Sequence, residues 1–372
     1  MVDFKKRILT TMILLVFFSQ AAAQVAYSTS IPVNSNLYFK NITHSEHQLE
    51  MNPRFIENGS KILFLIFTGN PESPKPWDYM LSSSDREGHS VYYVTSEGVL
   101  DYNVLSNERG VLVLKVIPTA PNANIEIYED IRDWELWYLD LENEVNVLLE
   151  SSKGLPLSEG YKILGLADLP NHRMAQFTSH SPRRTTWLRV QREEKDEMYF
   201  FKFYVEKGAG RNAIFTTEAW QSYSHNGWWP AVVWIDESSF ITVRFQSIPD
   251  ERFPQSEGLF SIVRVDLNEP SETHLFSDFA LKPFPKIALN PAANALYFQL
   301  YFHKFGKGYE TTELWRLNLE TKHAEMIYSV EGDLGEVRFA SDGSSLVFTQ
   351  LIEHNFDIIR VDLQQHNLQN LK

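Results

Sequence analysis

Two short phrases recur along this chain in a fixed order, and no other feature restricts its fold as much. The first phrase is an apolar run, a turn dipeptide and an alternating strand. Its clearest copies are PRFIENGSKILFLI (Pro53–Ile66) and VRFASDGSSLVFTQ (Val337–Gln350). Phe55 matches Phe339, Asn58-Gly59 matches Asp342-Gly343, and Phe64 matches Phe348. Asn-Gly and Asp-Gly supply the positive φ of a tight reversal, so each copy reads as a hairpin. IALNPAANALYFQL (Ile287–Leu300) is a third copy and VVWIDESSFITVRF (Val232–Phe245) a looser fourth. Weaker copies start at Tyr102 and Leu164.

The second phrase is an alternating strand that ends in a polar turn. It appears at Val91–Val94, then as LWYLDLENE from Leu136 and YFFKFYVEKG from Tyr199. It returns as FSIVRVDLNE from Phe260, LWRLNLETK from Leu314 and DIIRVDLQQ from Asp357. Successive copies are about 45 to 65 residues apart, a period of propellers and arrays rather than of short-repeat solenoids. Helical periodicity is nearly absent after the N-terminus. The fold expected is therefore all-β: a six-bladed β-propeller of four-stranded antiparallel blades, which leaves only short strand edges. Each blade reads as strands a, b, c and d from the ring axis outwards. The first phrase is a–turn–b, the second is c, and a short strand d follows. The last blade reaches strand c with nine residues left. Its fourth strand is expected from Asn36–Ile42 at the other end of the chain, with His366–Leu371 as the alternative.

These phrases resemble the TolB-type propeller repeat, in which an Arg-Phe-Ser-Pro-Asp-Gly-like phrase precedes a Phe-containing strand and an apolar strand ending in Asp. The Pro of that phrase is replaced by Ser341 in the last copy and by Glu57 in the first. The resemblance implies a propeller over residues 51–372. The separate N-terminal α/β domain of TolB itself has no counterpart, because only residues 24–50 lie between the N-terminal leader and the first repeat.

That leader is the second informative feature. Lys5, Lys6 and Arg7 precede an apolar run from Ile8 to Phe18, and Ala21-Ala22-Ala23 follows. This is the order of a secretory signal peptide over residues 1–23. The run is too short to span a bilayer. Its removal takes the formal charge from −14 to about −16. An acidic chain is a poor partner for nucleic acid or anionic membrane. With 372 residues and no cysteine, the core forms without disulfides. Export without cysteine points to a bacterial periplasm or to secretion from a bacterium, with no membrane span after signal cleavage.

In an antiparallel meander the a–b and c–d turns share one end of the blade, and the b–c loops and d–a links share the other. The first set reads as short: Asn58-Gly59, Glu97-Gly98, Glu320–Lys322 and Asp342-Gly343. The second reads as long: Asn70–Ser90, Pro118–Asp133, SHSPRRTT from Ser179, Ser247–Gly258 and Trp220–Trp229. Long loops on a rigid scaffold are where binding concentrates. The candidate ligand-binding residues are accordingly Trp77, Tyr79, Arg183, Arg184, Trp220, Tyr223, His225, Trp228 and Trp229. Large aromatics with a polar edge suit peptides or sugars, and an arginine pair suits a carboxylate. Arg54 and Arg338 hold one position in two innermost strands, which makes them candidates for the funnel.

Catalytic signatures are missing from the sequence. It contains no Gly-x-Ser-x-Gly elbow and no Gly-rich phosphate loop, and the chain has no room for a hydrolase domain beside six blades. The His44–His47 segment lacks the spacing of a helical zinc motif. His180, His225 and His303 are read as scatter. No catalytic residue, metal or cofactor is assigned. The expected role is a non-catalytic scaffold that binds a protein or envelope component. The competing reading is a polysaccharide lyase or glycosidase, with a carbohydrate ligand and a metal in the funnel.

Overall fold

The computed structural model describes residues 37–43, 49–69, 75, 77–105, 108–117, 131, 133–152, 154–164, 176–196, 198–207, 210–220, 229–247, 258–269, 271–280, 286–290, 292, 294–303, 310–352 and 355–363. The leader, His44–His47 and His366–Leu371 lie outside them.

The first strand, β1 (Tyr38–Asn41), stands apart from the sheet that follows it in sequence. Blade 1 is β2 (Glu50–Ile56), β3 (Lys61–Phe67), β4 (Tyr79–Asp85) and β5 (Val91–Tyr93). Blade 2 is β6 (Val99–Val104), β7 (Gly110–Val116), β8 (Trp134–Asp140) and β9 (Val145–Ser151). One helix, α1 (Leu157–Leu164), follows. Blade 3 is β10 (Gln176–His180), β11 (Trp187–Lys195), β12 (Met198–Lys207) and β13 (Gly210–Trp220). Blade 4 is β14 (Val232–Trp234), β15 (Ser239–Ser247), β16 (Gly258–Asp266) and β17 (Ser271–Ala280). Blade 5 is β18 (Ile287–Asn290), β19 (Ala295–His303), β20 (Glu310–Asn318) and β21 (Ala324–Glu331). Blade 6 holds β22 (Arg338–Phe339), β23 (Ser345–Ile352) and β24 (Asn355–Asp362).

Each blade is a four-stranded antiparallel sheet, a sequential meander in blades 1 to 5, and the six-bladed propeller expected from the repeats is the fold. First strands meet first strands between blades, β2 with β22 and β14 with β18, so strand a of each blade lies at the axis. The resemblance to the TolB-type repeat holds at the level of this architecture. In blade 6 the outermost place is taken by β1, which pairs antiparallel with β24 from Tyr38↔Asp362 to Asn41↔Ile359.

The interior lies between blades, as it must when every sheet has two buried faces. Phe203 of blade 3 stacks on Phe240 of blade 4 with centroids 6.0 Å apart. Phe276 of blade 4 meets Phe298 of blade 5 at 5.1 Å, and Tyr297 of blade 5 meets Phe339 of blade 6 at 5.0 Å. Ile42, Phe55, Phe64, Val347 and Ile358 fill the seam between blades 6 and 1.

An ionic cluster sits beside that last seam. Arg86 Nη2, in the turn after β4, donates to Asp362 at 2.7 Å and to Ser345 Oγ at 2.8 Å. Arg360, with a side chain 3% exposed, donates to Glu87 at 2.8 Å and to Asp362 at 2.6 Å. Lys40 of β1 reaches the other Glu87 oxygen at 2.8 Å. Gly88 is required in the same turn. Its φ is +72°, and a Cβ there would lie 2.4 Å from the Ile42 carbonyl oxygen.

Three blade assignments need correction. In blade 1, strand c is the polar Tyr79–Asp85 rather than Val91–Val94, which is strand d. Glu97-Gly98 is therefore a d–a link at the other end of the ring from its expected place. In blade 3 the a–b reversal is Ser181–Thr186, and β11 joins β12 through the two residues Asp196-Glu197. The Leu164 phrase does not supply strand a. Leu164 instead closes α1, which was not expected. Pro156 stands at the mouth of that helix and Glu159 in its first turn, both favourable there. Gly160 lets α1 lie on blade 2, since a Cβ would come within 2.9 Å of Leu114 Cδ1 and 3.3 Å of the Trp134 ring.

Candidate functional site

The two ends of the propeller are built differently. At the end carrying the a–b and c–d turns, neighbouring blades lock together. Glu108 accepts from Asn58 N at 2.5 Å, tying blade 2 to blade 1. Glu237 of blade 4 accepts from Ser181 Oγ and from Arg183 N, at 2.5 and 2.6 Å, and from Thr185 Oγ1. Those bonds hold its carboxyl below the usual range, Ser181 contributing most. Asn290 Nδ2 of blade 5 donates to Gly343 O at 2.9 Å, and a Cβ on Gly343 would lie 2.3 Å from Asn290 Oδ1. At the opposite end the connections follow no common length. Between b and c they run from the two residues Asp196-Glu197 to the stretch between Val116 and Trp134.

The candidate ligand residues do not gather on one surface. Trp77 is buried among Leu100, Trp134 and Leu157. Tyr79 begins β4 and packs edge-on against Phe67 at 5.4 Å; burial, then Asp78, pushes its hydroxyl up. Trp229 is 7% exposed, with its ring 5.2 Å from Phe201 and the Arg192 guanidinium 5.4 Å from its centroid. Arg183 and Arg184 are exposed, but in the β10–β11 turn. That places them at the framework end, opposite to expectation, because Ser181–Thr186 joins strands a and b. Tyr223, His225 and Trp228 lie outside the described residues, and Trp220 is described only as the last residue of β13.

Arg54 and Arg338 do come together, at the axis. Three first strands meet there, β2, β6 and β22. A register shift between Met51 and Arg54, with Asn52 at φ +53°, bends β2 and sets up the cluster. Asn52 Nδ2 donates to Asp101 Oδ1 at 2.9 Å, and the Tyr102 N–H donates to the same oxygen at 2.8 Å. The single proton of the fully buried Tyr102 hydroxyl is shared between the carbonyl oxygens of Asn52, at 2.5 Å, and Leu63, at 2.9 Å. The Arg54 guanidinium lies over the Tyr102 ring, 5.8 Å from its centroid. Arg338 Nη2 pairs with Glu336.

The charges in this cluster are strained. Burial, and then the Arg338 charge, lowers the Arg54 pKa. Burial raises that of Asp101, against the Tyr102 N–H and the Arg54 charge. Arg54 Nε and Arg338 Nε are buried without a hydrogen-bond partner among the described residues. The shared position of the two arginines in matching phrases marked them in the sequence. Asp101, Tyr102 and Asn52 were missed, because nothing local in a strand tells which neighbour will face it across the axis.

Among the described residues no three of His, Cys, Asp and Glu come together as a metal-binding group. Of the three scattered imidazoles, His180 ends β10, His225 lies outside the described residues, and His303 is described only as the end of β19. No helix among the described residues is long and apolar enough to cross a membrane.

No protein-family model matches this sequence, nor does any curated protein sequence. Similar solved structures include an oligogalacturonate lyase from Vibrio parahaemolyticus, at 12% identity and a TM-score of 0.44 over 92% of this chain and 100% of that one. A provisionally named TolB from Agrobacterium tumefaciens has 12% identity and a TM-score of 0.41, over 91% and 99%. The propeller domain of the Trilobed protease from Pyrococcus furiosus has 10% identity and a TM-score of 0.35, over 85% and 81%. The fold assignment rests on the sheet order itself.

Proposed function

We propose that this protein is an exported, non-catalytic propeller scaffold that holds a protein or envelope component at its b–c and d–a end. Residues 1–23 are its export signal, and it works in the periplasm or outside the cell. One observation carries the reading. The a–b and c–d turns are short and bonded from blade to blade, while the connections that differ most in length, from Asp196-Glu197 to the stretch between Val116 and Trp134, fall at the other end. A rigid frame that sorts its variable segments to one end is how loop-based recognition is built. Tyr223, His225 and Trp228 lie in one such connection and are its proposed contacts.

Immobilised protein and a Trp228→Ala variant, each exposed to native envelope extract, provide the test. A defined species should be retained by the wild type, lost with Trp228→Ala, and kept by an Arg183→Ala, Arg184→Ala variant altered at the framework end. Equal retention by all three, or loss only with the arginine variant, would refute this placement.

A further inference from the structure

We propose that Arg54 and Arg338 form a receptor for a carboxylate at the propeller axis, between blades 1, 2 and 6. The inference is independent of the loop-end reading, because it concerns other residues.

A buried polar atom in a folded protein has a partner in the great majority of cases. Here two guanidinium Nε atoms, one from each of two neighbouring blades, are buried and have none among the described residues. Among the described residues the Arg54 side chain makes neither a hydrogen bond nor an ion pair; its contacts are the Tyr102 ring and the longer-range charges of Asp101, Glu336 and Arg338. Neither nearby carboxylate is hydrogen-bonded to Arg54. Asp101 Oδ1 already accepts from Asn52 and from the Tyr102 N–H, and Glu336 is taken by Arg338.

Arg54 and Arg338 repel one another, and although Asp101 and Glu336 balance the two charges, neither carboxylate is hydrogen-bonded to Arg54. A guanidinium is a planar fork whose natural complement is a planar carboxylate accepting two parallel N–H bonds. The Tyr102 ring, fixed by its two carbonyl contacts, fixes the plane of that fork in turn. The cluster also opens to solvent, since the side chains of Arg338 and Glu336 are 34% and 49% exposed. A small carboxylate entering beside Glu336 would give Arg54 the partner it lacks and relieve its repulsion with Arg338.

Line broadening of 13C-labelled acetate, titrated into the whole protein at low ionic strength, reads the site directly. The wild type should saturate at one acetate per chain. Arg54→Lys keeps the charge but removes the fork, and should weaken binding about tenfold or more. Glu336→Gln, at an exposed carboxylate, frees Arg338 and should tighten binding; it remains decisive if Arg54→Lys fails to fold, which a denaturation midpoint reports. No saturable acetate binding by the wild type, or affinities unmoved by Glu336→Gln, would overturn the assignment. Either result leaves the Trp228 test untouched.

Discussion

At the scale of single residues, chemical type was a poor guide to role, and environment decided. Four tryptophans and two tyrosines looked alike as binding rings, but Trp77 and Trp229 are core residues. Trp229→Ala should cost about 3–5 kcal/mol, as for other buried aromatics, read as a fall in denaturant midpoint. A surface-like loss under about 0.5 kcal/mol would return that ring to the ligand-binding set. The two Arg-Val-Asp-Leu strings make the same point. Arg264 bonds Ser239 Oγ at 3.2 Å and Asp266 caps its own turn through Asn268 N at 2.8 Å, both within blade 4. Arg360 and Asp362, in the identical string, carry the ion cluster between blades 6 and 1. Four identical residues do different work because their neighbours come from elsewhere in the chain.

Elements show the same division. Strands with strict alternation and a Gly-containing turn were legible, and blades 4, 5 and 6 stand where the phrases put them. The strand Tyr79–Asp85 was hidden because its inner half is serine: Ser82, Ser83 and Ser84 are buried without being apolar. The turn that follows it carries Arg86, Glu87 and Gly88 to β1 and β24. Hydrogen bonds from Lys40 and then Arg360 take the Glu87 pKa from its ordinary 4.5 down to about 2. A depressed carboxylate stabilises the fold above its ordinary pKa and loses that contribution as pH falls towards its folded value. Glu87→Gln should therefore be less stable than the wild type at neutral pH, with the gap closing between about pH 4.5 and 2. Glu87 is 43% exposed, so the gap should shrink in high salt. Denaturant midpoints measured across that pH range check both effects, and a gap constant with pH would rule out the ion pairs as its source.

For the whole molecule, the seam between blades 6 and 1 joins the two ends of the described chain. β1 covers the outer edge of β24, and Phe39 stacks on Tyr328 of blade 5 at 4.8 Å. Deleting residues 1–43 should bare the β24 edge, lower the unfolding midpoint and promote self-association, since an open strand edge is a template for another chain. A truncated chain that stayed monomeric with an unchanged midpoint in light scattering and urea titration would show that β1 is dispensable. By itself the sequence determined the strand period, the blade count and the tight turns, because these depend on residues close together in the chain. Only the tertiary structure decided which rings are core, which turns lock neighbouring blades, and that Arg54, Asp101, Tyr102 and Arg338 meet at one axis. Those contacts join residues about 50 to 280 positions apart, a distance at which alternation and turn chemistry carry no information.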